Sequence, residues 1–427
     1  MGGVAKHMDH LHEDLNLTFG ELKDILLQVA KGDVEALEKV DGQNVFFSYH
    51  PSSGEVRTAR NNSDIINNGM SPEEYAAKWA AHPVQAVGDG FMSGFETIQR
   101  ILGRMSNSGL VNVFGDDANN YVNAEIVYTG NPNLIRYSND WIVFHNLYPY
   151  SNGTPTGIDT QSQFTQLVST TEDLHRRQDI NGWGVSGPRP VQLTDISDGP
   201  AYGECIAKLD ALNSLGDEAT LGDYVGMKVF EIIDQLAIAT SRKDALVKRV
   251  IGIGLDHDTK DLPDMTTLKK GLTPHVAKQV SQLATKTNAK KIIGKVSSEI
   301  EQAISDFAVE VLRGLQSFFV DEHDVEVEQL KVDLIDAQNL IKVATDDKAD
   351  DRRTMMEKQL AKLGDPHNIG SSLEGIVFEY PAESGRLYKL TGAFAPLNQI
   401  VGAAKRIPQG QKESLIRNYV RTVILAG

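Results

Sequence analysis

Seven consecutive residues, Glu38-Lys39-Val40-Asp41-Gly42-Gln43-Asn44, gather an amine, two carboxylates and carboxamides around a glycine. A lysine attacks phosphorus only as the free amine, so Lys39 as a nucleophile needs surroundings that release its proton, such as a nearby cation or a metal-bound phosphate. Gly42 would let the backbone pass close to a bound nucleotide. Read alone, Asp41-Gly42 is also an ordinary turn beside a surface lysine. Far downstream, Glu374-Gly375-Ile376-Val377 sets a carboxylate beside a glycine, and carboxylate oxygens suit a hard divalent cation such as magnesium that bridges phosphates. Tyr388-Lys389-Leu390-Thr391 follows with a further cation.

Other reactive residue types carry less. Cys205 is the only cysteine, so it forms no internal disulfide, and with no cysteine or closely spaced histidine beside it the expected role is structural. His7, His10 and His12 lie at the amino terminus, where histidines are expected to be solvated rather than metal-bound. The formal net charge of -16 excludes broad adhesion of the whole surface to nucleic acid, so any such contact must be local. One locality qualifies: Thr266 to Ser298 holds Lys269, Lys270, Lys278, Lys286, Lys290, Lys291 and Lys295 and no acidic residue. It reads either as a solvated helix face or as a contact for nucleic acid.

The elements that must position these residues follow from hydrophobic periodicity. Leu17 to Glu38 repeats at helical spacing, after which the period drops to two in Asn44-Val45-Phe46-Phe47-Ser48-Tyr49, a Pro51-Ser52-Ser53-Gly54 turn and Glu55 to Arg60, a β-hairpin. Ser71 and Pro72 open a helical stretch to Gly103, and two strands are expected around Tyr121–Gly130 and Trp141–Tyr150. Ser151 to Pro190 is rich in Ser, Thr, Gly and Asn and reads as loop. Ala219 to Leu363 is helical throughout; Leu373 to Tyr380 and Arg386 to Gly392 form a second hairpin, followed by two closing helices. No apolar run is long enough to span a membrane, and the charged amino terminus does not read as a signal peptide, so a cytoplasmic, intracellular protein without membrane contact is expected.

In their order along the chain, the chemical segments resemble the motifs of the covalent nucleotidyltransferases, which include DNA ligases, RNA ligases and messenger RNA capping enzymes. Lys39-Val40-Asp41-Gly42-Gln43-Asn44 is similar to motif I, K-x-(D/H)-G, and Asn44 matches the K-x-D-G-x-N variant of the RNA ligase group that includes phage and RNA-editing ligases. Arg60 falls at motif Ia, Glu125 at motif III, Phe144 at motif IIIa, Glu374 at motif IV and Lys389 at motif V. Two positions depart from the pattern. Ala124 replaces the glycine before the motif III glutamate, and Thr391 replaces the second lysine of motif V.

The resemblance implies an α+β fold, a ligase-type nucleotidyltransferase domain of antiparallel sheets flanked by helices and interrupted by a large mostly helical insertion. The implied divisions are 1–150 and 366–427 for the two parts of that domain and 151–365 for the insertion. It further implies ATP as substrate and Mg2+ as cofactor. Lys39 becomes covalently joined to AMP, with Lys389 on the α-phosphate. Glu38, Asp41, Gly42 and Asn44 surround the nucleotide; Arg60 contacts its sugar, Glu125 binds its ribose, Phe144 stacks on its adenine, and Glu374 engages the metal. The AMP then passes to a 5′-phosphate end, RNA in preference to DNA. The insertion would either hold nucleic acid through its lysines or dock a protein through the acidic stretch around Asp321 to Glu328. The alternatives are a noncatalytic, virion-associated or nucleotide-binding protein on a degenerate ligase fold, favoured by Thr391 and Ala124, and a GTP-using capping enzyme, disfavoured because no capping-type carboxy-terminal domain follows Lys389.

Overall fold

The structure is a computed structural model that describes residues 9–131, 133–135, 137, 139–156, 158–177, 182–255, 257, 259–315, 323–363, 373–382, 384 and 386–407. Its strands are β1 (Asp9–His10), β2 (Ala36–Lys39), β3 (Gln43–His50), β4 (Glu55–Ala59), β5 (Asn120–Val127), β6 (Trp141–Ser151), β7 (Thr154–Pro155), β8 (Gly184–Ser186), β9 (Pro190–Val191), β10 (Gly375–Glu379) and β11 (Leu387–Leu390). They form two mainly antiparallel sheets, β1-β11-β10-β2-β9 and β4-β3-β5-β6-β7, with β8 added to β6. Together with the surrounding helices this is an α+β architecture, and no helix among the described residues is long and apolar enough to cross a membrane.

The chain passes from the first sheet to the second through Val40, Asp41 and Gly42 alone. Alternation in β2 buries Ala36 and Glu38 and leaves Leu37 and Lys39 on the more open face. On the buried side, Ile376, Phe378, Tyr388 and Leu390 pack with the Phe19–Lys31 helix and with Tyr224, Ile300 and Phe307 of the helical segment. The helical segment up to Leu315 therefore shares its core with the first sheet, whereas helices His323–Val343 and Ala349–Leu363 form a separate cluster with helix Phe394–Lys405. The second sheet buries Val45, Phe47, Val122, Ala124, Ile142 and Phe144 against helices Gln85–Leu102 and Gln161–Arg177.

Several expectations are corrected. The first helix ends at Lys31, where Gly32 takes φ 77° and caps it, and Ala36–Lys39 is a strand rather than helix. Pro83 sits in the break between helices Pro72–Ala80 and Gln85–Leu102. The stretch read as loop from Ser151 contains helix Gln161–Arg177, whose apolar face closes the second sheet, and β8 and β9, which extend both sheets. The described elements between Ser151 and Val191 therefore pack with the two sheets, and the next helix begins at Pro200. His10 is in a strand paired with β11, and Leu11 is buried, so the amino-terminal histidines at 10 and 12 are docked. His7, the expected last helix Ser414–Leu425 and, of the acidic stretch, Asp321 and Glu322 lie outside the described residues; the rest of that stretch opens helix His323–Val343.

Candidate functional site

Lys39 ends β2, and antiparallel pairing places it opposite Gly375, one residue past Glu374. The Lys39 Nζ donates to Glu374 Oε1 and makes an ion pair with it across 335 residues of sequence, both side chains less than one-fifth exposed. Glu125, in the middle of β5, reaches the same space from the second sheet: its Oε2 accepts the Gly42 N–H at 3.0 Å. Asp41 anchors the crossing between the sheets, its Oδ2 accepting the N–H groups of Leu134 at 2.8 Å and Ile135 at 2.9 Å. The Asp41 N–H donates to the Tyr137 hydroxyl at 3.1 Å, and Asn133 Nδ2 donates to the Gly42 carbonyl at 2.9 Å.

One ammonium thus sits among three carboxyls. Burial alone would pull the Lys39 ammonium down, but Glu374, Glu125 and Asp41 more than reverse this and hold it above its ordinary value. Burial pushes Glu125 up to about 7 despite the attraction of Lys39. Burial also pushes Glu374 up to about 8, with Lys39 opposing and the charges of Glu125 and Asp41 adding to the shift. Asp41 is raised by burial, which outweighs its two backbone hydrogen bonds. The arrangement keeps Lys39 protonated and shifts the carboxyls toward their neutral forms, a setting in which added positive charge would favour their ionisation.

Of the residues singled out in the sequence, Lys39, Asp41, Gly42, Glu125 and Glu374 meet in this cleft. Asn44 lies at its edge, its Nδ2 donating to Asn123 Oδ1 at 2.6 Å. Others do not meet there. Glu38 is 4% exposed and ion-paired to Arg189 at 3.1 Å, on the face of β2 opposite Lys39, so it is not open to a nucleotide. The Arg60 guanidinium lies 4.7 Å from the centre of the Phe91 ring and 5.7 Å from that of Trp79, stacked on the aromatic surface instead of pointing at Glu125. Lys389 shares the open face of the first sheet with Lys39, but it is two strands away and lines a cavity of about 40 Å³ with His10, His12, Glu301 and Lys362.

Phe144 is the clearest correction. It is fully buried, its ring 5.6 Å from that of Phe47, on the core side of the second sheet and opposite Ala124. Glu125 pairs with Val143 and therefore faces the other way. Phe144 offers no surface to an adenine.

His145 was missed by sequence reasoning. The ladder between β5 and β6 shifts between Asn123 and Ala124, so the core positions of β6 run Ile142, Phe144, Leu147. The extra residue leaves both His145 and Asn146 off the core, with Asn146 opposite the Asn123 that binds Asn44. Burial and then the nearby Lys39 ammonium push the His145 imidazole down to about 4, so it is neutral. The three-residue step from Phe144 to Leu147 was the available signal. Tyr137 and Asn133, which hold the Asp41-Gly42 crossing, left no pattern that points to them.

Gly42 has a different reason from the one expected. A Cβ there would stand 3.0 Å from Glu125 Cβ and 3.1 Å from the Ile126 carbonyl oxygen, so it is β5 that approaches closely. Among the described residues, no group of three or more His, Cys, Asp or Glu is placed to hold a metal ion. Comparison with protein-family models, curated proteins and solved structures returns no match to this chain.

Proposed function

We propose that the chain is an ATP-dependent ligase-type nucleotidyltransferase that acts on polynucleotide ends, RNA in preference to DNA, through a covalent Lys39–AMP intermediate. The observation that carries this reading is the ion pair of Lys39 with Glu374, set between Asp41 and Glu125: an amine held in place by carboxylates from two sheets. In the first step the Lys39 nitrogen forms a bond to the ATP α-phosphorus, the bond from that phosphorus to the bridging oxygen breaks, and pyrophosphate leaves. AMP then moves to a 5′-phosphate, and a 3′-hydroxyl displaces it.

Lys39 must lose its proton and its hold on Glu374 before attacking, and both become easier when positive charge enters the carboxyl cluster. Glu374, helped by the triphosphate's own oxygens, is the residue of this cleft suited to a magnesium ion, because the described residues supply no three-ligand cage. When bound, that ion would neutralise charge on the phosphates. Glu125 and the Gly42 backbone form the wall beside the nucleotide, and neutral His145 lies on the same wall.

The test is incubation of the protein with ATP and Mg2+ followed by intact mass measurement, with Lys39→Ala in parallel. Gain of one AMP on the wild type and none on the variant is the expected result; equal labelling of the variant removes Lys39 from the nucleophile's role. A second reading, a nucleotide-binding protein without turnover, draws on Thr391 standing next to Gly375 where a second cation would help. It predicts ATP binding with no added AMP mass at any time.

A further inference from the structure

We infer that the lysine-rich face of helices Met265–Lys269, Pro274–Leu283 and the first turns of Lys286–Gly314 holds the phosphate backbone of a duplex nucleic acid. Lys270, Lys278, Lys286, Lys290, Lys291 and Lys295 are all exposed on it. Of the carboxylates beside the stretch, Asp264 is exposed but caps its own helix by accepting the Thr267 N–H at 2.8 Å, and the half-buried Glu299 accepts the Tyr224 hydroxyl. In a chain of net charge -16, a run of exposed lysines with no carboxylate among them from 266 to 298 concentrates positive charge locally.

The surface chemistry selects the occupant. Residues 266–298 contain no Phe, Tyr or Trp, and none of the exposed large hydrophobic residues falls among them. A protein partner would call for aromatic or apolar anchors, a membrane for apolar side chains to insert, and single strands for rings on which bases stack. Point cations alone suit a regular array of phosphates and read no sequence.

The long helix also sets a distance. Its Val309 and Leu312 lie against Gly392, next to Thr391 at the end of β11. Lys291 is eighteen residues nearer the helix start, about 27 Å along the axis, which a duplex covers in about eight base pairs. The identity of the cargo as the ligase substrate rests on the function proposed above; the surface itself does not.

The test is the triple variant Lys278→Glu, Lys291→Glu, Lys295→Glu, with the corresponding Gln variant and a thermal melt of each to confirm folding. Binding of a nicked RNA duplex with long arms is measured by fluorescence anisotropy against salt concentration, and AMP loading from ATP alone is measured separately. We expect the Glu variant to bind at least about tenfold more weakly at 0.1 M salt, with its log–log salt slope reduced by about three, and the Gln variant to fall between. Duplexes with arms shorter than about eight base pairs should bind wild type and variant alike. Unchanged affinity and slope in a folded Glu variant overturn the inference, as does wild-type preference for single strands. Lysine-dependent duplex binding by a protein that never accepts AMP leaves the surface standing and refutes the reading of the Lys39 cleft instead.

Discussion

Gly42 and Glu125 touch across the boundary between the two sheets: the Gly42 N–H donates to Glu125 Oε2 at 3.0 Å, and no side chain separates the two backbones. That contact fixes the Lys39 loop against β5. Gly42→Ala would push the new methyl into Glu125 and into the Ile126 carbonyl, both already at the limit of contact. The expected outcome is a loss of about 1–3 kcal/mol in stability by denaturant unfolding, and a fall of tenfold or more in the rate of AMP labelling. Wild-type rates in this variant would show that the Gly42–Glu125 approach is irrelevant to the chemistry.

Phe144 gives the opposite pattern. Because its ring lies in the core, Phe144→Ala should cost about 3–5 kcal/mol and Phe144→Leu much less. In Phe144→Leu the KM for ATP should remain within about twofold of wild type, since no base-stacking surface is lost. A large rise in KM with unchanged stability would return Phe144 to the nucleotide.

The acidic cluster imposes a pH dependence whose sign follows from the raised carboxyls. Glu125 and Glu374 ordinarily titrate near 4.5 and are pushed to about 7 and about 8 in the fold. A carboxyl raised on folding gives stability that is complete below its unfolded pKa and is lost as pH climbs through its folded one. The melting temperature should therefore fall between about pH 5 and pH 8. Glu125→Gln should flatten the lower part of that decline by an amount on the order of 2 kcal/mol, allowing for its partial exposure. The Lys39 contribution lies above this window, because an ammonium raised on folding loses its effect only at alkaline pH. Parallel pH profiles of the two proteins would contradict the assignment.

The same structure explains what was legible in the chain and what was not. The hairpins β3–β4 and β10–β11 announced themselves by period-two alternation and turn residues, and the pairing that joins Lys39 to Glu374 followed once both were strands. Local pattern failed wherever tertiary packing decided. The helical spacing before Lys39 continued past Gly32, yet pairing with β10 drew Ala36–Lys39 into a sheet. Helix Gln161–Arg177 was hidden in a polar stretch because only a narrow row, Phe164, Leu167 and Thr171, is buried. The role given to Phe144 fails on alternation: Phe144 stands opposite Ala124 on the core face, while Glu125 pairs with Val143 on the other, a one-residue difference that a motif aligned by position does not register.

Thr391 tests how far the cation deficit of this cleft limits it. Lys39 pairs with Gly375, and Thr391, the residue after β11, is also beside Gly375, its Cγ2 2.9 Å from where a Gly375 Cβ would be. With inter-strand spacing near 4.8 Å, Thr391 is about 10 Å from the Lys39 backbone, within the combined reach of two lysine side chains that extend over Gly375. Lys389, the cation that is present, is one pleat further along, in a cavity that Thr391 also lines and that holds Lys362. Thr391→Lys would bring a second ammonium to the carboxyl cluster, stabilising ionised Glu374 and favouring the free amine of Lys39. The expected result is a rise of about tenfold in AMP labelling, and a fall in the apparent pKa of its pH–rate profile. Thr391→Met, similar in reach but uncharged, should give neither. A Thr391→Lys protein that folds, binds ATP and labels no faster than Thr391→Met would show that charge at this position does not limit the reaction.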